Sequence, residues 1–342
     1  MRALRLALPL ALLVAAHGAA ARTMIDAVGR SVEVPDRIER VYAAGPPASA
    51  TIYVVAPDRL IGWTRAPSDA AKTYLPQRYA ELPVVGRLTG SGGSTDIDRV
   101  KQLAPDLILD IGTVSPRYRA LAERVQRDTG IPYLLLDGSL RATPSMLRGL
   151  GDLLGVPERG AALAAWAERA LAETGGRDPG ERRRAYFGRG EDGLETGGAG
   201  FINVESLEAA GLINVAAELG SGWQRVTPAQ VALWQPDLIV TEQPDLPARL
   251  AADPAWSAVG AIAAGGVHVA PSAPFGWIEG PPGPNRLLGL YWLHSLGYPG
   301  EVGIDLGERT REFYRLFYDV TLTPDRLRSL LGETAPATGS TP

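Results

Sequence analysis

Alternation constrains this chain before anything else does. Short apolar runs at 40–44, 60–63, 107–111 and 133–136 read as buried strands, with helical patterns at 49–55, 97–103 and 116–128 between them. Strands separated by helices pair in parallel, with both faces of the sheet covered. The same grammar restarts after Arg182, with strands predicted at 185–188, 238–241 and 267–270. An internal echo links the two halves. The stretches from Asp98 and from Ala229, 131 residues apart, each read as an amphipathic helix, a Pro-Asp turn (Pro105-Asp106 and Pro236-Asp237) and a buried strand. Proline stops each helix and sets the turn. Any α/β protein can repeat such a turn, so the echo alone leaves both a pair of similar lobes and coincidence open.

Between the halves, 157–176 is one unbroken helical run. Pro157 suits the first helical position, 161–172 are nearly all strong helix formers, and Gly175-Gly176 ends the run. At about 1.5 Å per residue it spans about 30 Å, enough for a stiff strut between lobes, and 177–184 follows as a polar connector. The predicted architecture is therefore α/β: two Rossmann-like three-layer lobes, 22–156 and 177–334, joined by a single long α-helix, with 335–342 as a disordered tail.

With 45% hydrophobic and 21% charged residues over 342 positions, the chain can bury a sizeable core. It has no cysteine, which excludes disulfide scaffolds, thiolate zinc sites, iron-sulfur clusters and cysteine nucleophiles together. Arg2 and Arg5 precede an apolar run at 6–16, and Ala19-Ala20-Ala21 fits a small-residue cleavage site. Residues 1–21 thus read as a signal peptide, with a mature start near Arg22. The run is shorter than the roughly 20 residues a membrane span needs. A net charge of −4 on an exported chain argues against a nucleic-acid partner.

Three kinds of site can be weighed on the residues. Gly188, Gly190 and Gly193 match G-x-G-x-x-G after a strand, but the glycine-rich 194–200 that follows cannot supply the helix N-terminus a pyrophosphate needs. The stretch reads better as a permissive loop at a strand's C-terminal end. Only His268 and His294 remain after leader removal, without the close spacing of a zinc pair, so no metal site and no cofactor are expected. No G-x-S-x-G, H-E-x-x-H or kinase set is present; a carboxylate pair of the glycosidase kind stays possible in principle, though nothing singles one out. What stands out are arginines and aromatics at predicted strand ends: Trp63, Arg65, Arg189, Trp223, Phe275 and Trp277. Aromatics can cover a flat ligand, and arginines can pair with its anionic oxygens. For each, a core aromatic or a solvated surface arginine is the alternative.

Several stretches together resemble a known family. They are Ile25-Asp-Ala-Val-Gly-Arg-Ser-Val-Glu-Val-Pro35 with Arg40-Val-Tyr-Ala-Ala, Pro83-Val-Val-Gly86, the Pro105-Asp106 turn, 186–196, Asn214-Val-Ala216, and above all 274–293, containing Gly280-Pro-Pro282-Gly-Pro-Asn285-Arg286. In order and spacing the chain is similar to the helical-backbone, class III substrate-binding proteins of ABC importers. Those proteins carry ferric siderophores, haem, cobalamin and similar metal complexes.

The resemblance implies a periplasmic monomer that performs no chemistry. It would bind a metal chelate, foremost a ferric siderophore, in the inter-lobe cleft and deliver it to an inner-membrane permease dimer with its ATPase. Arg65, Arg189 and Arg286 would meet anionic groups, Trp63, Trp223, Phe275 and Trp277 would form aromatic walls, and Thr196 would donate a hydroxyl. Arg286 also lies where a helix N-terminus is predicted. The family docks through one carboxylate per lobe. Asp98 matches the first, while Ala229 stands at the second, leaving Glu205 or Glu208 to replace it. Two other readings are a molybdate or tungstate binder of the same fold, favoured by a cleft poor in aromatics, and a secreted α/β enzyme, favoured by a buried carboxylate pair.

Overall fold

The computed structural model describes residues 21–90, 93–176, 182–299, 301 and 303–332. Of the expected leader 1–21, residues 1–20 lie outside the described residues, as does the expected tail at 335–342. An antiparallel hairpin, β1 (Ala21–Ile25) with β2 (Ser31–Pro35), opens the fold. A three-stranded parallel sheet follows in the order β3 (Val41–Ala43), β4 (Leu107–Gly112), β5 (Tyr133–Asp137). The strand expected at 60–63 is reduced to isolated parallel bridges, Val41 to Leu60 and Trp63 to Val84. At Gly62 the chain passes so close to the Pro83 carbonyl that a Cβ would lie 2.5 Å from it.

In the second half, β6 (Arg184–Phe187), β8 (Ile213–Asn214), β10 (Leu238–Thr241) and β11 (Val267–Val269) form a parallel sheet in the order β11-β10-β6-β8. The pair β7 (Glu195–Gly197) and β9 (Trp223–Arg225) runs antiparallel beside it. Fully buried runs such as Leu107–Ile111 are what a sheet covered by helices on both faces requires.

The echo read from the sequence is a repeated piece of structure. Helices Ile97–Leu103 and Pro228–Trp234 are capped by Asp96 and Thr227 and end in left-handed residues, Ala104 and Gln235, both at φ 44°. Each turn then bonds back to the arginine at the start of a strand, Arg40 just before β3 and Arg184 opening β6. The Asp106 and Asp237 carboxylates accept the Arg40 and Arg184 backbone N–H groups at 2.9 and 2.7 Å, and the two guanidinium groups donate to the last carbonyls of the helices. Proline directly after a left-handed cap, with aspartate next, builds the same corner in both halves.

The joining helix runs from Pro157 to Thr174, with proline in its first turn and Gly175 at its end. It crosses helix Thr143–Leu153 where Gly151 meets Gly160; a Cβ on Gly151 would lie 2.7 Å from the Gly160 Cα. Its other neighbours are helices Arg286–Gly297 and Leu306–Tyr318, whose Tyr291 and Arg309 both bond Glu173. The largest apolar cluster runs from Val32 through Trp166 to Leu327, so one core passes beneath both lobes. The molecule is α/β, with two Rossmann-like lobes on a shared helical spine. Among the described residues, no helix is long and apolar enough to cross a membrane.

Candidate ligand-binding cleft

Ligands of open α/β sheets sit beyond the carboxyl ends of the strands, and here the ends of the two sheets face one another. Between them lies a cavity of about 570 Å³. The first lobe contributes Arg65, Arg87, Thr89, the end of β4 at Asp110 to Gly112, and Arg117 and Tyr118 beyond it; the second contributes Arg189, Phe201 to Asn203, Trp223 and Glu279 to Pro282. Pro46 and Pro47 open helix Pro46–Val55, and Arg117 sits in the first turn of helix Pro116–Thr129. Two helix N-termini thus turn the positive ends of their dipoles toward the wall that carries the arginines.

The charges are arranged unevenly. Arg65 and Arg117 are exposed and make no hydrogen bond or ion pair with the described residues. Arg189 is held: its guanidinium pairs with Glu195, lies 3.6 Å from Glu279 and sits 4.5 Å over the Trp223 ring. Asp110 is buried at the floor, accepting the Tyr133 hydroxyl at 2.9 Å and the Thr89 hydroxyl at 3.2 Å. Burial pushes its carboxyl above the usual range, although both bonds pull it down. Burial likewise raises Glu279, against Arg189, Asn203 and Arg65. Behind the floor, the buried Glu242 accepts the Ile278 and Glu279 backbone N–H groups at 2.9 and 3.0 Å and so shapes the loop that presents Glu279.

Of the ligand residues expected from sequence, Arg65, Arg189 and Trp223 line the cavity. The others do not. Trp63 is in the core, its indole N–H donated to the Tyr79 carbonyl at 2.7 Å. Phe275 packs edge-on against Tyr53 and Tyr318, and Trp277 is fully buried beneath Gly289, whose added Cβ would collide with the Trp277 carbonyl. Thr196 is buried in β7 away from the lining. Arg286 is fully buried and ion-paired to Glu205 at 2.6 Å. Of the expected docking carboxylates, Glu205 is thus half-buried and engaged by Arg286, whereas Glu208 and Asp98 are exposed. The physical reason is common to the aromatics: a shared core beneath both lobes offers large rings more burial than a polar cleft does. The remaining ring, Trp223, already has Arg189 over it, Phe187 stacked on it at 6.2 Å and Phe201 edge-on at 4.9 Å.

Arg87, Asp110, Arg117 and Glu279 were not singled out from sequence. Arg117 could have been found from sequence, since it sits in the first turn of the predicted helix 116–128. The glycine motif at 188–193 turns back into β7 through a bridge between Arg189 and Glu195, which leaves no helix N-terminus for a pyrophosphate. Among the described residues, no cluster of three His, Asp or Glu side chains could hold a metal ion.

Comparison with known proteins gives a consistent picture. A family model described as periplasmic binding protein matches residues 53–274. The molybdate-binding protein MolA of Haemophilus influenzae is 25% identical over 340 residues, covering 89% of this chain and 93% of that protein. An ABC transporter solute binding protein from Sulfurospirillum deleyianum superposes with a TM-score of 0.80 at 25% identity, covering 91% of this chain and 99% of that one. The structure of MolA bound to molybdate superposes with a TM-score of 0.72 at 21% identity, covering 89% and 100%.

Proposed function

Because the chain belongs to the periplasmic binding protein family of ABC importers, whose members bind and hand over solutes and are not enzymes, we propose that it captures a small oxyanion of the molybdate or tungstate type. The observation that carries this reading is the pair of exposed arginines, Arg65 and Arg117, on the cavity wall, neither of which forms an ion pair or hydrogen bond with the described residues. Two guanidinium groups and two helix N-termini suit a compact anion. The scarcity of open aromatic faces points the same way, as does the resemblance to a molybdate-binding relative. In this reading residues 1–21 direct export and are removed, 22–156 and 177–334 form the lobes, and the mature protein works as a periplasmic monomer that docks on its permease through Asp98.

A ferric siderophore is the second reading. It is favoured by the cavity of about 570 Å³, which exceeds what one tetrahedral oxyanion fills.

Titration calorimetry and tryptophan fluorescence would separate the two, since Trp223 lies at the cavity. Saturable binding of molybdate or tungstate, weakened roughly tenfold (about 1.4 kcal/mol) in both Arg65→Ala and Arg117→Ala, is expected. Binding of ferric hydroxamate or catecholate chelates with no response to either oxyanion would replace this reading with the second.

A further inference from the structure

Arg286 is fully buried, a costly position for a guanidinium, and its surroundings are drawn from both lobes. Nη2 donates to the Gly138 carbonyl at 2.7 Å, which belongs to the loop after β5 in the first lobe. Nη1 donates to the Ile202 carbonyl at 2.7 Å and to Glu205 at 2.6 Å, and Nε to the Gly283 carbonyl at 3.2 Å, all in the second lobe. Glu205 completes the link by accepting the backbone N–H of Leu140, in the first lobe, at 2.8 Å. The planar fork of an arginine fixes these directions together.

The linked points border the cavity. Ile202 and Asn203 line it, and Gly138 abuts Gly112, which lines it too. Moving the lobes apart would pull Gly138 and Leu140 away, leaving a guanidinium and a carboxylate inside protein with unmet hydrogen bonds. We infer that the Arg286–Glu205 pair is a clasp that holds the lobes at the spacing at which the two walls of the cavity face each other before ligand arrives. This rests on the reading of the cavity as the ligand site. Both are positioning residues, since neither lines the cavity.

The cysteine-free chain allows a direct test. Spin labels at Arg99→Cys and Ala229→Cys, both exposed, report the lobe spacing by pulsed dipolar spectroscopy without ligand. A narrow distance distribution is expected for the parent. A broader, longer one is expected for Glu205→Gln and Arg286→Met, together with at least tenfold faster molybdate release, and Arg286→Lys should recover part of the narrow distribution. Should Arg286→Met not fold, the near-isosteric Glu205→Gln decides alone. Folded variants that keep the parental distribution would overturn the clasp, leaving the pair as local packing. If molybdate does not bind the parent, the oxyanion reading fails, yet the distance measurement still decides the clasp.

Discussion

Gly138→Ala tests the link between packing and cavity most directly. A Cβ at Gly138 would lie 2.8 Å from the Gly112 Cα, 2.9 Å from its nitrogen and 3.2 Å from the Ile202 side chain. Two of these neighbours are backbone at the end of β4, so they cannot rotate away. Ordinary contact requires an opening of well over half an ångström, and crowding of this kind costs about 1–3 kcal/mol. That corresponds to a fall of several degrees in Tm. Since Gly112 and Ile202 both line the cavity, ligand affinity should fall as well, by roughly tenfold, or about 1.4 kcal/mol. Gly112→Ala is the control, because its Cβ would meet nothing within 4 Å; it should melt close to the parent. Thermal denaturation and calorimetry of both variants suffice. A Gly138→Ala protein melting within about 1 °C of the parent would refute the argument from close approach.

Three further outcomes are expected. Trp63→Phe removes the indole N–H that meets the buried Tyr79 carbonyl and should cost about 1–3 kcal/mol in urea denaturation while leaving ligand affinity unchanged; an affinity loss would return Trp63 to the binding surface. Asp98→Arg reverses an exposed charge at the predicted docking position and should abolish transporter-dependent uptake without altering ligand binding in calorimetry, so normal uptake would remove that role. Burial raises the Asp110 carboxyl above its unfolded value, so the folded chain holds that proton more tightly; the resulting stability is full below the ordinary carboxylate range and is lost as pH rises through the raised folded value. Asp110→Asn should therefore flatten the fall in unfolding free energy as pH rises above the ordinary carboxylate range, and an unchanged slope would assign the fall to Glu242 or Glu279, which burial raises in the same direction.

The alternation of apolar runs and helical patterns was enough to locate both sheets because buried parallel strands leave an unbroken apolar signature, as at Leu107–Ile111. The Pro-Asp corners were legible for a similar reason: proline and aspartate act locally, on the helix just ended and the strand just begun. The cavity was only half legible. Arg65 and Arg189 could be placed at strand ends, but whether an aromatic there turns into the cleft or the core depends on what the other lobe offers. Trp63 turned inward because Tyr53, Tyr79, Phe275 and Tyr318 gather beside it from segments up to 265 residues apart. Arg286 carries no local sign of burial at all, since Glu205 and the Gly138 carbonyl reach it only through the tertiary fold.

The charge distribution across the cavity gives the lobe spacing a chemical meaning. Arg65, Arg87 and Arg117 stand on the first lobe, where the Asp110 carboxyl accepts the Thr89 and Tyr133 hydroxyls. On the second lobe Arg189, the one lining arginine among the described residues, is already engaged by Glu195 and Glu279. An anion would therefore meet Arg65 and Arg117, which make no hydrogen bond or ion pair with the described residues, on one wall and Glu279 opposite. On the proposed oxyanion reading, ionised oxygens would lie against the first lobe and any proton the ligand retains would face Glu279, the charged acceptor on the opposite side among the described residues. A cavity with opposed walls of unlike charge selects by orientation only while their separation is fixed, because Coulomb attraction and hydrogen-bond geometry both weaken as the walls part.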